Sequence, residues 1–294
     1  LVGLRFLPYP REKMPELPEV EITARLLSAA VSGARVSSAL APGVNALKSF
    51  DPPLHALEGR EIRSIGRRGK LILVELDGDL SVVIHVMSAG RLQLYDRPAS
   101  LRDRTSRVLF RFEDGRELRL REFGTKQRAW AKLLPSDALA EEETIASLGP
   151  DAWPAPPPFD DLLDVPRPLY ALLRDQHVIA GIGRSWVDEI LHGAELSPFA
   201  RGSELDSADA ERLRTETVTR LGGAIEHYER TLRLPIPDKL PMPLTVHRRR
   251  GEPCPRCGEE IEAVFYEDYV MCYCPACQTG GRVMKDRRLS RLLK

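Results

Sequence analysis

The residues with the most chemistry in them stand at opposite ends of the chain. Pro15 and Glu16 lie near the start, and Cys254, Cys257, Cys274 and Cys277 near the finish. Pro15 directly follows Met14, and a small residue there usually allows an initiator methionine to be removed. Removal would leave Pro15 as a free secondary amine, able to attack an electrophilic carbon and form an iminium. Glu16 is then the adjacent candidate acid or base. The plain alternative is an ordinary helix start made of two prolines and a carboxylate. At the other end, Cys254-Pro255-Arg256-Cys257 and Cys274-Pro275-Ala276-Cys277 enclose sixteen residues. Thiolates on two such knuckles can converge on one tetrahedral ion, which predicts one structural Zn²⁺ per chain. A redox role is the lesser alternative. Cys272, the fifth cysteine, need not be a ligand.

Several elements must hold these residues in place. Pro18 suits the first turn of a helix, where its missing N–H is not needed. Ile22, Leu26 and Ala29 continue at helical spacing and Gly33 ends the pattern, so a helix is predicted over 18–30. Its partly positive start disfavours an ammonium on the nearby amine. From 34 to 134 the pattern is strand-like. The runs 70–76 and 80–86 flank Asp77-Gly78, and 107–112 and 117–120 flank Asp114-Gly115, so two hairpins of a β-sandwich are predicted. Prolines crowd 150–168 and return at 235–243, which predicts two connectors. Helical patterns lie between them, the longest over 207–228.

Composition narrows the class of protein. A chain of 294 residues with 43% hydrophobic content has room for two or three cored domains. No apolar run is long enough to span a membrane. Net charge is zero, which excludes polyanion binding by bulk charge. The basic residues gather late instead, six of them against Asp286 from Arg282 onward. An odd cysteine count and a start too short and proline-broken for a secretory signal predict a reduced, cytoplasmic protein. The same features favour a mature start at Met14, with residues 1–13 absent.

Met14-Pro15-Glu16-Leu17-Pro18-Glu19-Val20-Glu21 resembles the N-terminal signature of the formamidopyrimidine-DNA glycosylase and endonuclease VIII family. Four further stretches are similar to that family. Gly66-Arg67-Arg68-Gly69-Lys70 resembles the context of its lesion-site lysine. His85-Val86-Met87-Ser88-Ala89-Gly90 and Arg121-Glu122-Phe123-Gly124 resemble the segments that fill the gap left by an extruded base. Leu172 to Glu189, through Gly181-Ile182-Gly183-Arg184, resembles its helix-two-turns-helix element. The match is not uniform. Ser88 stands where the aligned methionine would be, Arg184 where the family has asparagine, and Tyr269 where its finger has a phosphate-gripping arginine. Thr105-Ser106-Arg107-Val108-Leu109 looks more like the endonuclease VIII branch.

The resemblance implies an α+β multidomain protein. Its parts would be an extension at 1–13, an N-terminal β-sandwich with a leading helix at 14–135, and a helical helix-two-turns-helix domain at 136–246. A four-cysteine zinc finger at 247–281 and a basic tail at 282–294 complete it. The implied function is a bifunctional DNA glycosylase and abasic-site lyase removing oxidised purines, with oxidised pyrimidines, or damage binding without catalysis, as alternatives. Pro15, Glu16 and Lys70 would be catalytic. His85, Met87, Arg121, Phe123 and Arg184 would contact DNA. The implied partner is damaged double-stranded DNA, met by a monomer at the bacterial nucleoid. Gly181 and Gly183 would bring backbone close to phosphate, with the following helix presenting its N-terminus to it.

Overall fold

A computed structural model describes residues 14–124, 126–266 and 269–284. The expected extension at 1–13 and all but the first residues of the basic tail lie outside them. Helix α1 (Leu17–Val31) is followed by strands β1 (Val36–Leu40), β2 (Ile62–Arg68), β3 (Leu71–Leu76), β4 (Leu80–His85), β5 (Gly90–Tyr95), β6 (Ser106–Phe112), β7 (Glu117–Glu122) and β8 (Trp130–Pro135). They form two antiparallel sheets, ordered β1-β6-β7-β5 and β2-β3-β4-β8. Both predicted hairpins are present: Leu76 pairs with Leu80 in one, and Arg111 with Glu117 in the other. Ile72, Val74, Val82 and Ile84 meet Val108, Phe110, Leu118 and Leu120 in the core between the sheets. The opposite face of β3 and β4 is also covered, with Leu71 and Val83 packed under Leu139, Ile145 and Leu148. Burial on both faces explains why these strands read as unbroken apolar runs and not as alternation.

The helical part contains α2 (Glu143–Ala146), α3 (Phe159–Leu163), α4 (Leu169–Leu172), α5 (Arg184–Gly193) and α6 (Ser207–Thr231). The finger adds β9 (Glu262–Phe265), β10 (Val270–Tyr273) and α7 (Pro275–Thr279). Among the described residues, no helix is long and apolar enough to cross a membrane. α1 belongs to two cores. Val20, Ala24, Leu27 and Val31 recur at helical spacing and enter the sandwich, whereas Leu17 and Ile22 join the helical core with Trp186, Leu191 and Tyr228.

The proline-rich stretch over 150–168 is not a slack connector. Ala152, Phe159 and Leu163 are buried, and Asp151 pairs with Arg67 and Arg68 of β2. Its apolar residues and the charge of buried Arg67 give it a reason to dock. Connector 235–243 docks likewise: Ile236 enters the sandwich core and its carbonyl accepts from Gln93 Nε2 at 2.6 Å.

β6 and β7 also carry a buried ion pair, Arg107 with Glu122, at 3.5 Å. Arg107 donates to the carbonyls of Val44 and Ala129, and Glu122 accepts from the Ala129 N–H at 2.7 Å. The pair thereby ties down the loop that follows Phe123. Removing one member strands the other charge in the core. Arg107→Leu should therefore lower unfolding free energy by about 3–5 kcal/mol, measured by urea titration. A loss under about 1 kcal/mol would contradict this account.

Candidate active site

Glu16 is the cap residue of α1, and its carboxylate is buried against a second helix. It accepts from the backbone N–H groups of Gly183 (2.7 Å), Ser185 (2.8 Å) and Trp186 (3.2 Å), the first turn of α5. The partly positive helix end complements a carboxylate there. Glycine is needed at 183, since a Cβ would lie 2.3 Å from the Glu16 carboxyl carbon. Gly181 adopts φ +110°, and a Cβ on it would lie 2.4 Å from Leu17 Cδ1. The two glycines thus allow close approach to α1 of this same chain. This corrects the expectation that they and the α5 N-terminus serve phosphate: a protein carboxylate takes three of those N–H groups.

Glu19 follows one turn later and closes the cap. Its Oε2 accepts from the Glu16 N–H at 2.9 Å, and its Oε1 from Tyr228 at 2.8 Å and Trp186 Nε1 at 3.2 Å. Burial, then the nearby Glu16 charge, push its pKa up to about 7, although these donors favour the ionised form. Lys70 follows Gly69 at the β2–β3 turn and feels Glu16, Glu19, Arg174 and Arg184. Burial holds its pKa below the usual lysine value, and the two arginines act the same way against both glutamates. Pro15 is half-buried in a narrow cleft with Val86, Gly90 and Ile236. Pro15, Glu16 and Lys70 are therefore brought to one place.

His85 ends β4, and its pKa is lowered to about 4 by burial and by Lys70. The ring is neutral, and its Nδ1 accepts the N–H of Met87 at 2.9 Å. Met87 itself has φ +53°, uncommon for a side-chain-bearing residue. Arg121 donates to Tyr95 Oη (2.8 Å) and Thr105 Oγ1 (3.0 Å), and lies 4.7 Å from the Phe123 ring centroid. The Phe123 N–H donates to the carbonyl of Ala89, so the segments holding Met87 and Phe123 meet. Exposed Arg184 opens α5 and lies over the Tyr269 ring at 5.2 Å.

In the finger, the sulfurs of Cys254, Cys257, Cys274 and Cys277 lie within 4.8 Å of one another. Contacts of 3.5 and 3.9 Å bracket the roughly 3.8 Å expected between sulfurs that share a tetrahedral ion at about 2.3 Å. The set can hold a metal ion. His192 Nε2 reaches Cys254 Sγ at 3.1 Å, bringing α5 onto that cluster. Cys272 stands apart: its N–H donates to Asp188, and burial, then Asp188, push its thiol up to about 12.

Comparison with known proteins agrees with this arrangement. A sequence model of the formamidopyrimidine-DNA glycosylase N-terminal domain matches residues 14–126. The formamidopyrimidine-DNA glycosylase of Exiguobacterium sibiricum is 32% identical over 285 residues, covering 90% of this chain and 99% of that one. The chain belongs to the formamidopyrimidine-DNA glycosylase family. Its relative of the same name from Geobacillus kaustophilus is 33% identical, covering 90% and 100%. Lactococcus lactis Fpg (MutM), solved in complex with DNA containing N7-benzyl-Fapy-dG, is 25% identical and superposes with a TM-score of 0.80, covering 90% and 100%. Family membership accounts for the sandwich, the helix-turns-helix and the finger as one assembly.

Sequence reading missed three groups beside the site. Glu19 was legible in principle, since Glu16 and Glu19 have the spacing of a capping box. Arg174 and the Asp188–His247 contact at 2.7 Å had no local signal, because both depend on the finger docking.

Glu19 sets a pH dependence. Its pKa is raised in the folded chain, so between about pH 4.5 and 7 the folded state holds a proton that the unfolded state releases. Stability should therefore fall as pH rises through that window and level off above it, a change on the order of 3 kcal/mol. Glu19→Gln should flatten this part of the profile in denaturant melts taken from about pH 5 to about pH 8. A variant that loses as much stability as the parent over that range would exclude Glu19 as the titrating group.

Proposed function

We propose that this chain is a bifunctional DNA glycosylase and abasic-site lyase of base excision repair, acting on oxidised purines. The observation that carries the reading is the convergence of Pro15, Glu16 and Lys70: Pro15 lines a narrow cleft, Glu16 beside it is caged by α5, and the charge of Glu16 acts on Lys70. A base within a duplex cannot reach such a cleft, so the damaged nucleotide is flipped into it. The Pro15 nitrogen, as the terminal amine of the mature chain, attacks C1′ of the sugar. The N-glycosidic bond breaks as the base leaves with a proton. Glu16 passes a proton to the ring oxygen as the C1′–O4′ bond opens, which leaves the iminium between C1′ and Pro15, and its fixed position over α5 suits that task. The iminium acidifies the adjacent C2′, and loss of that proton expels the 3′ phosphate. Lys70, with its lowered pKa, exchanges protons closer to neutrality than an ordinary lysine. His85, Met87, Arg121, Phe123 and Arg184 are proposed to hold the DNA around the gap. The Lactococcus protein is solved with both a ring-opened purine and an oxidised pyrimidine in DNA, so the purine preference proposed here rests on the likeness of the Pro15-to-Glu19 start to formamidopyrimidine enzymes. The protein is proposed to work as a monomer in the cytoplasm.

The ion held by the four cysteines is proposed to be Zn²⁺, which soft thiolates in a tetrahedral set select. When bound, it closes a finger whose own core is small. Purified protein should contain one zinc per chain. Cys254→Ser together with Cys277→Ser should abolish zinc content and weaken DNA binding. Full zinc occupancy in that double variant would refute the ligand set.

The reaction has a direct test. Protein verified to begin at Pro15, incubated with 8-oxoguanine DNA and borohydride, should give a stable covalent adduct, since an iminium reduces to an amine. Blocking the terminal nitrogen by acylation should abolish the adduct. Glu16→Gln should still bind DNA but lose base excision, because an amide does not donate the proton. Oxidised thymine in the same assay should trap less. No adduct with either lesion or with an abasic site would sink the catalytic reading.

A further inference from the structure

Arg174 takes no part in the proton transfers described above, yet its charge acts on Lys70 of the same site. Its guanidinium lies 5.0 Å from the ring centroid of Tyr170 and 4.5 Å from that of Tyr269. Tyr269 is itself stacked between Tyr170, at 5.6 Å and 13° between planes, and Tyr266, at 4.3 Å and 12°. The rings come from α4 and from the β9–β10 connection, so the pad forms only where the finger meets the helical part. Arg184 approaches the same Tyr269 ring.

Among the described residues, the Arg174 side chain makes no hydrogen bond or ion pair. The contrast with its neighbours is sharp: Arg67 and Arg68 pair with Asp151, and Arg167 pairs with Asp175. Lys70 lies close enough that Arg174 and Arg184 both depress its pKa. Arg174 and Arg184 thus share a neighbourhood with Lys70 and with the Glu16 and Glu19 carboxylates. A guanidinium whose faces rest on rings has already lost much of its rotamer freedom, and its N–H edge matches the paired oxygens of a phosphate.

We propose that Arg174 is a phosphodiester-binding residue, held by Tyr170 and Tyr269 to grip the DNA backbone beside the nucleotide that reacts at Pro15 and Glu16. The proposal rests on the DNA glycosylase reading. It also gives Tyr269 a role as a platform: the finger supplies the ring and the helical part supplies the charge. Docking of the finger then sets where the grip lies.

The test is a salt titration of binding to a duplex carrying a tetrahydrofuran abasic site. Arg174→Ala should bind severalfold more weakly at low salt. Its plot of log affinity against log salt should be shallower by about one, the signature of a single lost phosphate contact. Arg174→Lys, which keeps the charge without the planar fork of donors, should lose affinity but keep the slope. In turnover assays the loss in Arg174→Ala should fall more on KM than on kcat. A second variant guards against a merely structural effect. In the Arg174→Ala background, Tyr269→Arg brings a guanidinium to the same space and should restore both affinity and slope.

An Arg174→Ala protein with the parent's affinity and salt slope overturns the proposal. So does one whose melting temperature falls while its slope is unchanged. If the parent still traps damaged DNA in either case, the glycosylase reading stands without the grip. A parent that binds no DNA at all removes the reading and the grip together.

Discussion

The carboxylate of Glu16 on the first turn of α5 is the contact from which the rest of the cleft follows. It joins residues 167 positions apart in the chain and fixes where α1 begins. Because α1 enters both cores, the direction of its first turn also sets how the sandwich faces the helical part. Nothing larger than glycine fits at 183, so the contact is specified by sequence as well as by charge. The residue before Glu16 is thereby held at the cleft wall while its neighbour's oxygens are spoken for by backbone donors. In this way a proline beside a glutamate becomes a positioned pair and not merely a helix start.

A chain of buried polar groups carries that order outward. Burial of a carboxylate is costly unless donors surround it. Glu19 meets the cost with Tyr228 of α6 and Trp186 of α5. Glu189 does so with the N–H groups of Thr245, Val246 and His247, and Asp188 with His247 and Cys272. Both acids lie on α5, so the helix that cages Glu16 also seats the finger. Burial pushes Asp188 well above the usual carboxylate range, in keeping with a group enclosed by protein on every side. The four-cysteine cluster is reached by the same helix through His192. Sandwich, helices and finger therefore share one polar seam, and a defect at any part of it loosens the placement of the others.

Sequence made the chemistry more legible than the geometry. The cysteine spacing was read directly, because two short knuckles impose the convergence of sulfurs locally. α1 and both hairpins carried their periodicity and turn residues on their face. β2, β5 and β8 were not read, since Arg67 and Arg68 in one and Arg91, Gln93 and Lys132 in the others break any apolar alternation. Those polar residues are explained only by partners far away, such as Asp151 for Arg67, the 236–238 backbone for Gln93 and Arg91, and Glu142 for Lys132. The glycines of Gly181-Ile182-Gly183 signalled close approach correctly, but not what approaches. A carboxylate from the other end of the chain carries no local mark at that turn.

The rim of the cleft departs most from the pattern that the sequence resembles, and geometry gives those departures a common form. Met87 stands one residue before the aligned position, in the turn between β4 and β5, with a left-handed backbone. The neutral ring of His85 holds that conformation by accepting the Met87 N–H, so the histidine acts here through shape and not through charge. On the neighbouring segment, Arg121 is fixed by Tyr95 and Thr105 and lies against Phe123. Where the finger meets the helical part, the Arg174 guanidinium lies 5.0 Å from the Tyr170 ring centroid and 4.5 Å from that of Tyr269. In each place a long or strained side chain is restrained by an aromatic ring or a nearby acceptor before any ligand arrives. Such restraint lowers the conformational entropy lost on binding, so a rim built from unfamiliar residues can still present ordered contacts. The centre differs in kind: Glu16 and Glu19 are held by backbone and buried donors, which leave little freedom for substitution. A change at the rim exchanges one ring or rotamer for another, whereas a change at the centre uncages a carboxylate held by the backbone itself.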